Sequence, residues 1–162
     1  MPARPQDSHT AGVTVRPAVL ADLDVLVRFS AAMALETEAR VLDQERLRHG
    51  TRAVLESNDR GFYLVAERDS IVVGQLLITY EWSDWRNGAF WWVQSVYVEP
   101  SARLRGVYRT LHDYVLQEAR RRGNVCGVRL YVEQDNAGAQ ATYARLDMSP
   151  TGYRIFERDF VL

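Results

Sequence analysis

The sequence predicts a mixed α/β fold, and three observations carry that prediction. Apolar residues switch along the chain between alternating and helical spacing, in the order β-α-α-β-β-β-α-β-α-β-β. One segment, Val96–Val115, reads as a strand, a short basic turn with a glycine, and then a helix, which is how a β-α-β crossover opens. With 162 residues, 47% hydrophobic and 25% charged, the chain can bury a core without metal or disulfide staples. The expectation is a mostly antiparallel sheet of about six to seven strands, with about four helices and a central β-α-β unit.

Taken in order, residues 1–12 (MPARPQDSHTAG) are polar and proline-bearing and read as a flexible tail, which leaves 13–162 as the folded domain. Val13–Arg16 forms a short strand closed by Pro17. Leu23, Leu26, Val27, Ser30 and Ala34 recur at helical spacing, with Asp22 near the start. The loop LETEARVLDQ then carries Glu36, Glu38 and Asp43. Leu47, Thr51, Val54 and Leu55 mark a second helix that ends near Ser57-Asn58-Asp59. Strands Phe62–Glu67 and Ile71–Tyr80 flank a tight Arg68-Asp69-Ser70 turn. After a polar loop with Asn87-Gly88, Ala89–Val98 is a long aromatic and β-branched strand that Pro100 ends. A helix starts near Arg105 and stops at Gly123, with Val107, Leu111, Tyr114 and Val115 on one stripe. Val128–Val132 is a short strand, Asn136 to Leu146 a helix, and Thr151–Val161 reads as strands or a hairpin.

Charge and composition exclude several classes of function. Net charge is −1 at pH 7, which is no nucleic-acid footprint. No stretch is long and apolar enough for a membrane span, and the N-terminus lacks an apolar signal core, so the expected location is cytoplasmic. Cys126 is the single cysteine, read as a buried packing thiol, and His9, His49 and His112 lack metal-ligand spacing, so no metal is expected. Arginines cluster at Arg103, Arg105 and Arg109, and in a near-neutral protein that suits a small anionic ligand.

The most informative segment is the turn before the third helix. The first turn of a helix has N–H groups without internal partners and the positive end of the macrodipole. Gly106 removes a side chain where a ligand approaches the backbone, and the arginines add charge beside those donors. This is a candidate pyrophosphate site, with a solvated basic face as the plain alternative. It is neither a P-loop nor a dinucleotide fingerprint, since G-x-x-x-x-G-K-[ST] and G-x-G-x-x-G are both missing.

Arg103-Leu104-Arg105-Gly106-Val107-Tyr108 resembles the Q/R-x-x-G-x-G/A signature of the GNAT superfamily of N-acyltransferases. Val96-Tyr97-Val98-Glu99-Pro100 is similar to that family's fourth strand and its exit. A second motif follows in Tyr131-Val132-Glu133, Asn136, Ala139, Tyr143 and Leu146-Asp147-Met148. The resemblance runs from about Val13 to the C-terminus, and it implies acetyl-CoA, or another acyl-CoA, as donor. It also implies roles. Backbone groups of Val96, Tyr97 and Val98 would pair with the pantetheine arm, with Val98 N–H facing the thioester oxygen. The amides of Leu104 to Tyr108 would hold the pyrophosphate, with Arg103, Arg105 and Arg109 beside them. Asn136 would bond the pantetheine, besides being a natural helix N-cap. The sequence departs from the pattern at Tyr108, where Gly or Ala is usual, and at Asp147, where a Gly commonly ends the helix. Tyr108 must point away from the phosphates or the donor sits differently, whereas Asp tolerates a left-handed cap.

Acyl transfer to an amine needs an uncharged amine, a polarised carbonyl and a protonated leaving thiolate. By the resemblance, Tyr143 is the general acid; two turns past Asn136, it shares that residue's helix face. Glu81 is the candidate base, with Asp84, Glu36 and Glu38 as rivals and a water relay as the alternative. Glu36, Glu38, Trp82, Asp84 and Trp85 are candidate contacts for a small cationic or amino-acid-like primary amine, through carboxylates and aromatic faces. A non-catalytic acyl-CoA sensor and a protein N-terminal or lysine acetyltransferase are the competing functions. A homodimer is a candidate assembly, since an aromatic stretch such as Phe90-Trp91-Trp92 could cover an interface, with no interface residue assigned.

Overall fold

Alternating apolar residues build a five-stranded sheet in the computed structural model, which describes residues 12–162. In chain order the elements are β1 (Val13–Pro17), α1 (Leu23–Glu38), α2 (Gln44–Leu55), β2 (Phe62–Arg68), β3 (Ile71–Ser83), β4 (Gly88–Val98), α3 (Val107–Arg122), β5 (Val125–Leu130) and α4 (Ala137–Arg145). The strands lie in the order β1-β2-β3-β4-β5. The first three pairings are antiparallel, and β4 runs parallel to β5 through the α3 crossover. The chain divides into two compact units, one ending at Tyr131 with the whole sheet, the other Val132–Leu162 with α4. Of the expected tail, residues 1–11 lie outside the described residues.

The period-2 pattern of β2 to β4 separates two faces. Leu64, Ala66, Leu76, Ile78, Trp91 and Val93 pack with Val107, Leu111, Val115 and Ala119 of α3. On the opposite face Tyr63, Val65 and Leu77 pack with Leu26 of α1. Buried polar groups collect on this second face, where Ser30, Thr51 and Gln75 are each at most 4% exposed.

Several boundaries differ from the sequence expectation. The sheet has five strands among the described residues, not six to seven, and Thr151–Val161 contains no strand. Alternation specifies faces but supplies no pairing partner. In this segment Asp159 takes backbone donors locally, accepting from Val161 N–H at 2.7 Å and Leu162 N–H at 2.9 Å. β3 continues through Ser83, which faces Gly88, so Glu81 and Trp82 are strand residues rather than part of a loop. α1 reaches Glu38, so Glu36 and Glu38 also leave the expected loop; Ala39, left-handed at φ 50°, closes the helix. α2 begins earlier because the Asp43 carboxylate accepts from Arg46 N–H at 2.7 Å. α3 starts at Val107 because Gly106 holds a left-handed N-cap at φ 77°. β5 starts at Val125, where it meets Ala89, and ends at Leu130. Cys126 within it is half-buried.

Candidate active site

Two strands that part company define the candidate site. β4 pairs with β5 from Ala89 to Val93, then runs on for five residues, Gln94–Val98, past the last paired position. Of these, Gln94, Tyr97 and Val98 keep antiparallel partners on β3, and none of the five has a strand partner on the other edge among the described residues. A β-bulge falls inside this stretch. Gln75 faces Tyr97 and Leu77 faces Gln94, so Ser95 and Val96 together oppose Leu76 alone. Ser95 takes up the extra length in a left-handed conformation, φ 50°.

Beyond Val98 a short 3-10 turn, Pro100–Ala102, leads into the basic loop. Leu104 is left-handed at φ 60° with its side chain fully exposed, and Gly106 is left-handed as well. Leucine rarely adopts this conformation, so the loop is held in shape by what surrounds it. The first bond inside α3 runs from Thr110 N–H to Gly106 O at 3.0 Å, so the preceding amides face outward from the helix start. The Tyr108 ring lies along α3, its centroid 6.0 Å from that of His112 one turn on. The side chain therefore follows the helix. Arg105 and Arg109 are exposed.

Arg103 bonds both the exit of β4 and the end of α1. Its Nε donates to Val98 O at 2.9 Å and its Nη2 to Glu36 Oε2 at 2.6 Å. The other Glu36 oxygen accepts from the Tyr97 hydroxyl at 2.8 Å, and the Arg103 guanidinium lies 5.3 Å from the Tyr97 ring centroid. Arg103, and then Tyr97, hold the Glu36 carboxyl below the usual carboxylate range. Burial, and then Glu36, push the Tyr97 hydroxyl up. Glu36 thus ties the end of α1 to the turn that precedes α3.

The remaining carboxylates and indoles lie elsewhere. Glu81 accepts from Trp92 Nε1–H at 2.6 Å and pairs with Arg129 at 2.9 Å. Five residues of β3 separate it from Leu76 opposite the bulge, about 16 Å at strand rise. Trp82, Asp84 and Trp85 sit at the same far end of the ladder, all exposed. Glu38 is exposed near Arg40, at 3.9 Å. The structure therefore brings Glu36 to the bulge and keeps Glu81, Trp82, Asp84 and Trp85 apart from it. Phe90 and Trp91 are 8% and 2% exposed and are buried within the chain itself.

In the second unit Asn136 caps α4, its side-chain oxygen accepting from Ala139 N–H at 3.0 Å. Asp147 is left-handed at φ 60°, the cap conformation expected of it, and Met148 N–H bonds Tyr143 O at 3.1 Å. Burial pushes the Tyr143 hydroxyl up. Gln75 and Ser95 escaped the sequence reading. The one available signal was a glutamine inside the apolar run of β3.

The chain matches the model of the acetyltransferase (GNAT) family over residues 29–148. It is similar to a structure described as a possible acetyltransferase from Clostridium difficile 630, at 39% identity over 93% of this chain and 99% of that one, TM-score 0.86. At 18% identity it shares the fold of a predicted acetyltransferase with acetyl-CoA from Clostridium acetobutylicum, covering 90% of this chain and 96% of that one, TM-score 0.74. It also shares the fold of a GCN5-related N-acetyltransferase from Ralstonia eutropha JMP134, at 23% identity over 91% and 99% of the two chains, TM-score 0.73. No curated protein matches the chain. No helix among the described residues is long and apolar enough to cross a membrane, and no group of metal-binding side chains forms there.

Proposed function

The chain belongs to the acetyltransferase (GNAT) family and is an acyl-CoA-dependent acetyltransferase using acetyl-CoA, and from that premise we propose that it acetylates a small cationic or amino-acid-like primary amine by direct attack in a ternary complex. Acetyl-CoA supplies the activated acetyl group. The observation that carries the reading is the unpaired β4 edge, Gln94–Val98, leading into a helix start that Gly106 leaves open. A pantetheine-like chain needs backbone groups in strand register, and a pyrophosphate needs outward amides at a turn. The residues present fit both demands.

In this reading Val96, Tyr97 and Val98 bind the donor's arm through their backbone. The amides of Leu104, Arg105, Gly106, Val107 and Tyr108 hold the pyrophosphate, with Arg105 and Arg109 adding charge. Arg103 acts through Glu36 and Val98 O, shaping the turn. Asn136 and Tyr143 keep the roles implied by their motif, with Tyr143 protonating the leaving thiolate. The exposed carboxylate of Glu38, two residues on from Glu36, draws a cationic acceptor, while Trp82, Asp84 and Trp85 lie at the far end of the ladder. For the base, the distance and ion pair of Glu81 and the low-lying carboxyl of Glu36 favour water as carrier of the amine's proton. We further place residues 13–162 in one acyl-CoA-binding domain, acting in the cytoplasm, with a homodimer as its assembly.

Calorimetric titration with acetyl-CoA, followed by thiol release across a panel of amines, tests the reading. Binding with release for one amine class supports it, and the lack of any acetyl-CoA binding overturns it. Tyr143→Phe should lower kcat about 100-fold while leaving acetyl-CoA affinity intact. Glu81→Gln should leave kcat unchanged if water carries the proton, and a fall of about 100-fold would return the base role to Glu81.

A further inference from the structure

The β-bulge at Ser95 is held from beneath by a side chain the reaction scheme does not use. Gln75 is fully buried on β3, on the sheet face that packs against α1. Its Nε2 donates to Ser95 O at 3.1 Å and to Ser30 Oγ at 3.0 Å. A carboxamide nitrogen has two protons, and both are used. Oε1 has no partner among the described residues, so the two acceptors set the amide's orientation. The reverse orientation would put oxygen against the Ser95 carbonyl. Ser30, 4% exposed on α1, continues the chain of contacts. A buried polar link therefore runs from Ser30 of α1 through Gln75 of β3 to the carbonyl of the bulge.

The left-handed Ser95 is a conformation that a non-glycine residue keeps only when its surroundings demand it. Apolar packing is non-directional and cannot select one backbone carbonyl orientation over another. A buried hydrogen bond can, because an unpaired carbonyl there is costly. We propose that Gln75 is a positioning residue: anchored on Ser30, it pins the Ser95 carbonyl and so aims the backbone of Val96–Val98 at the donor's arm. The proposal rests on the reading that this β4 edge binds acetyl-CoA. Gln75 touches neither donor nor acceptor and acts through the bulge alone.

The test compares wild type with Gln75→Met, which keeps the side chain's length but removes both donors. Amide hydrogen exchange of the unliganded protein is measured at residues 94–98, with 64–66 of β2 as control, and acetyl-CoA is titrated calorimetrically. Exchange at 94–98 should speed up about tenfold with β2 unchanged, and acetyl-CoA should bind about tenfold more weakly. The KM for acetyl-CoA should rise more than kcat falls. Ser30→Ala, a gentler change, should move both readouts the same way by about threefold and serves if Gln75→Met does not fold. Exchange at 94–98 as in wild type overturns the proposal and leaves the function reading untouched. Faster exchange with undiminished acetyl-CoA affinity overturns the positioning role. A wild type that binds no acetyl-CoA overturns the reading of the edge and the proposal with it.

Discussion

At each end of the β3–β4 ladder a carboxylate is held by an arginine and an aromatic donor, Glu36 by Arg103 and Tyr97, Glu81 by Arg129 and Trp92. At the hairpin end the partners come from adjacent strands in regular register, and β5 covers the free edge of β4. At the bulge end the carboxylate comes from α1, the ladder is interrupted, and the β4 edge is left open. Regular pairing uses its backbone groups on itself, while an interruption leaves them for a ligand. The same trio of side-chain types therefore closes a surface in one place and shapes a site in the other.

Breaking the core beneath the bulge should have the largest effect. Leu76, fully buried and opposite Ser95 and Val96, should cost about 2–5 kcal/mol of stability as Leu76→Ala, measured by denaturant unfolding. A loss below that range would mean the bulge end is packed less tightly than its burial indicates. The hairpin end can be strained separately. A Cβ at Gly127 would stand 2.5 Å from Cε1 of the Phe90 ring, so Gly127→Ala should cost about 1–3 kcal/mol by forcing that ring to move. Its acetyl-CoA affinity should stay at the wild-type value, and a large drop would erase the distinction between the two ends.

Smaller effects sharpen the comparison. Glu36→Gln should raise the KM for acetyl-CoA about fivefold by loosening Arg103 and the turn, whereas Glu81→Gln should leave that KM unchanged. Equal effects from the two would contradict the assignment of the site to the bulge end. The smallest effect concerns pH. His112 is 2% exposed, and its pKa is pushed down by burial, with Asp113 opposing more weakly. The unfolded chain then takes up the proton first. Stability is complete above the unfolded value of about 6.5 and declines as pH falls below it. Thermal melts at pH 7.5 and 5.5 should show a lower Tm at the acid end, and His112→Asn should flatten the difference. An unchanged slope in the variant would place the loss in other groups.

Much of this architecture is legible in the sequence, because spacing reports which face of an element is buried. The β-α-β unit, the open turn at Gly106, the Asn136 cap and the left-handed Asp147 all follow from local patterns and residue chemistry. The family followed from two ordered motifs. What tertiary structure alone decided is pairing. Gln75 meets Ser30 across 45 positions, and Glu36 meets Tyr97 and Arg103 across 61 and 67. No local period encodes contacts that distant. Register decided that β3 reaches Ser83 and carries Glu81 away from the bulge, and Thr151–Val161 forms no strand. A residue's own chemistry fixes what it can bond, but chain folding over many tens of residues determines which group arrives to be bonded.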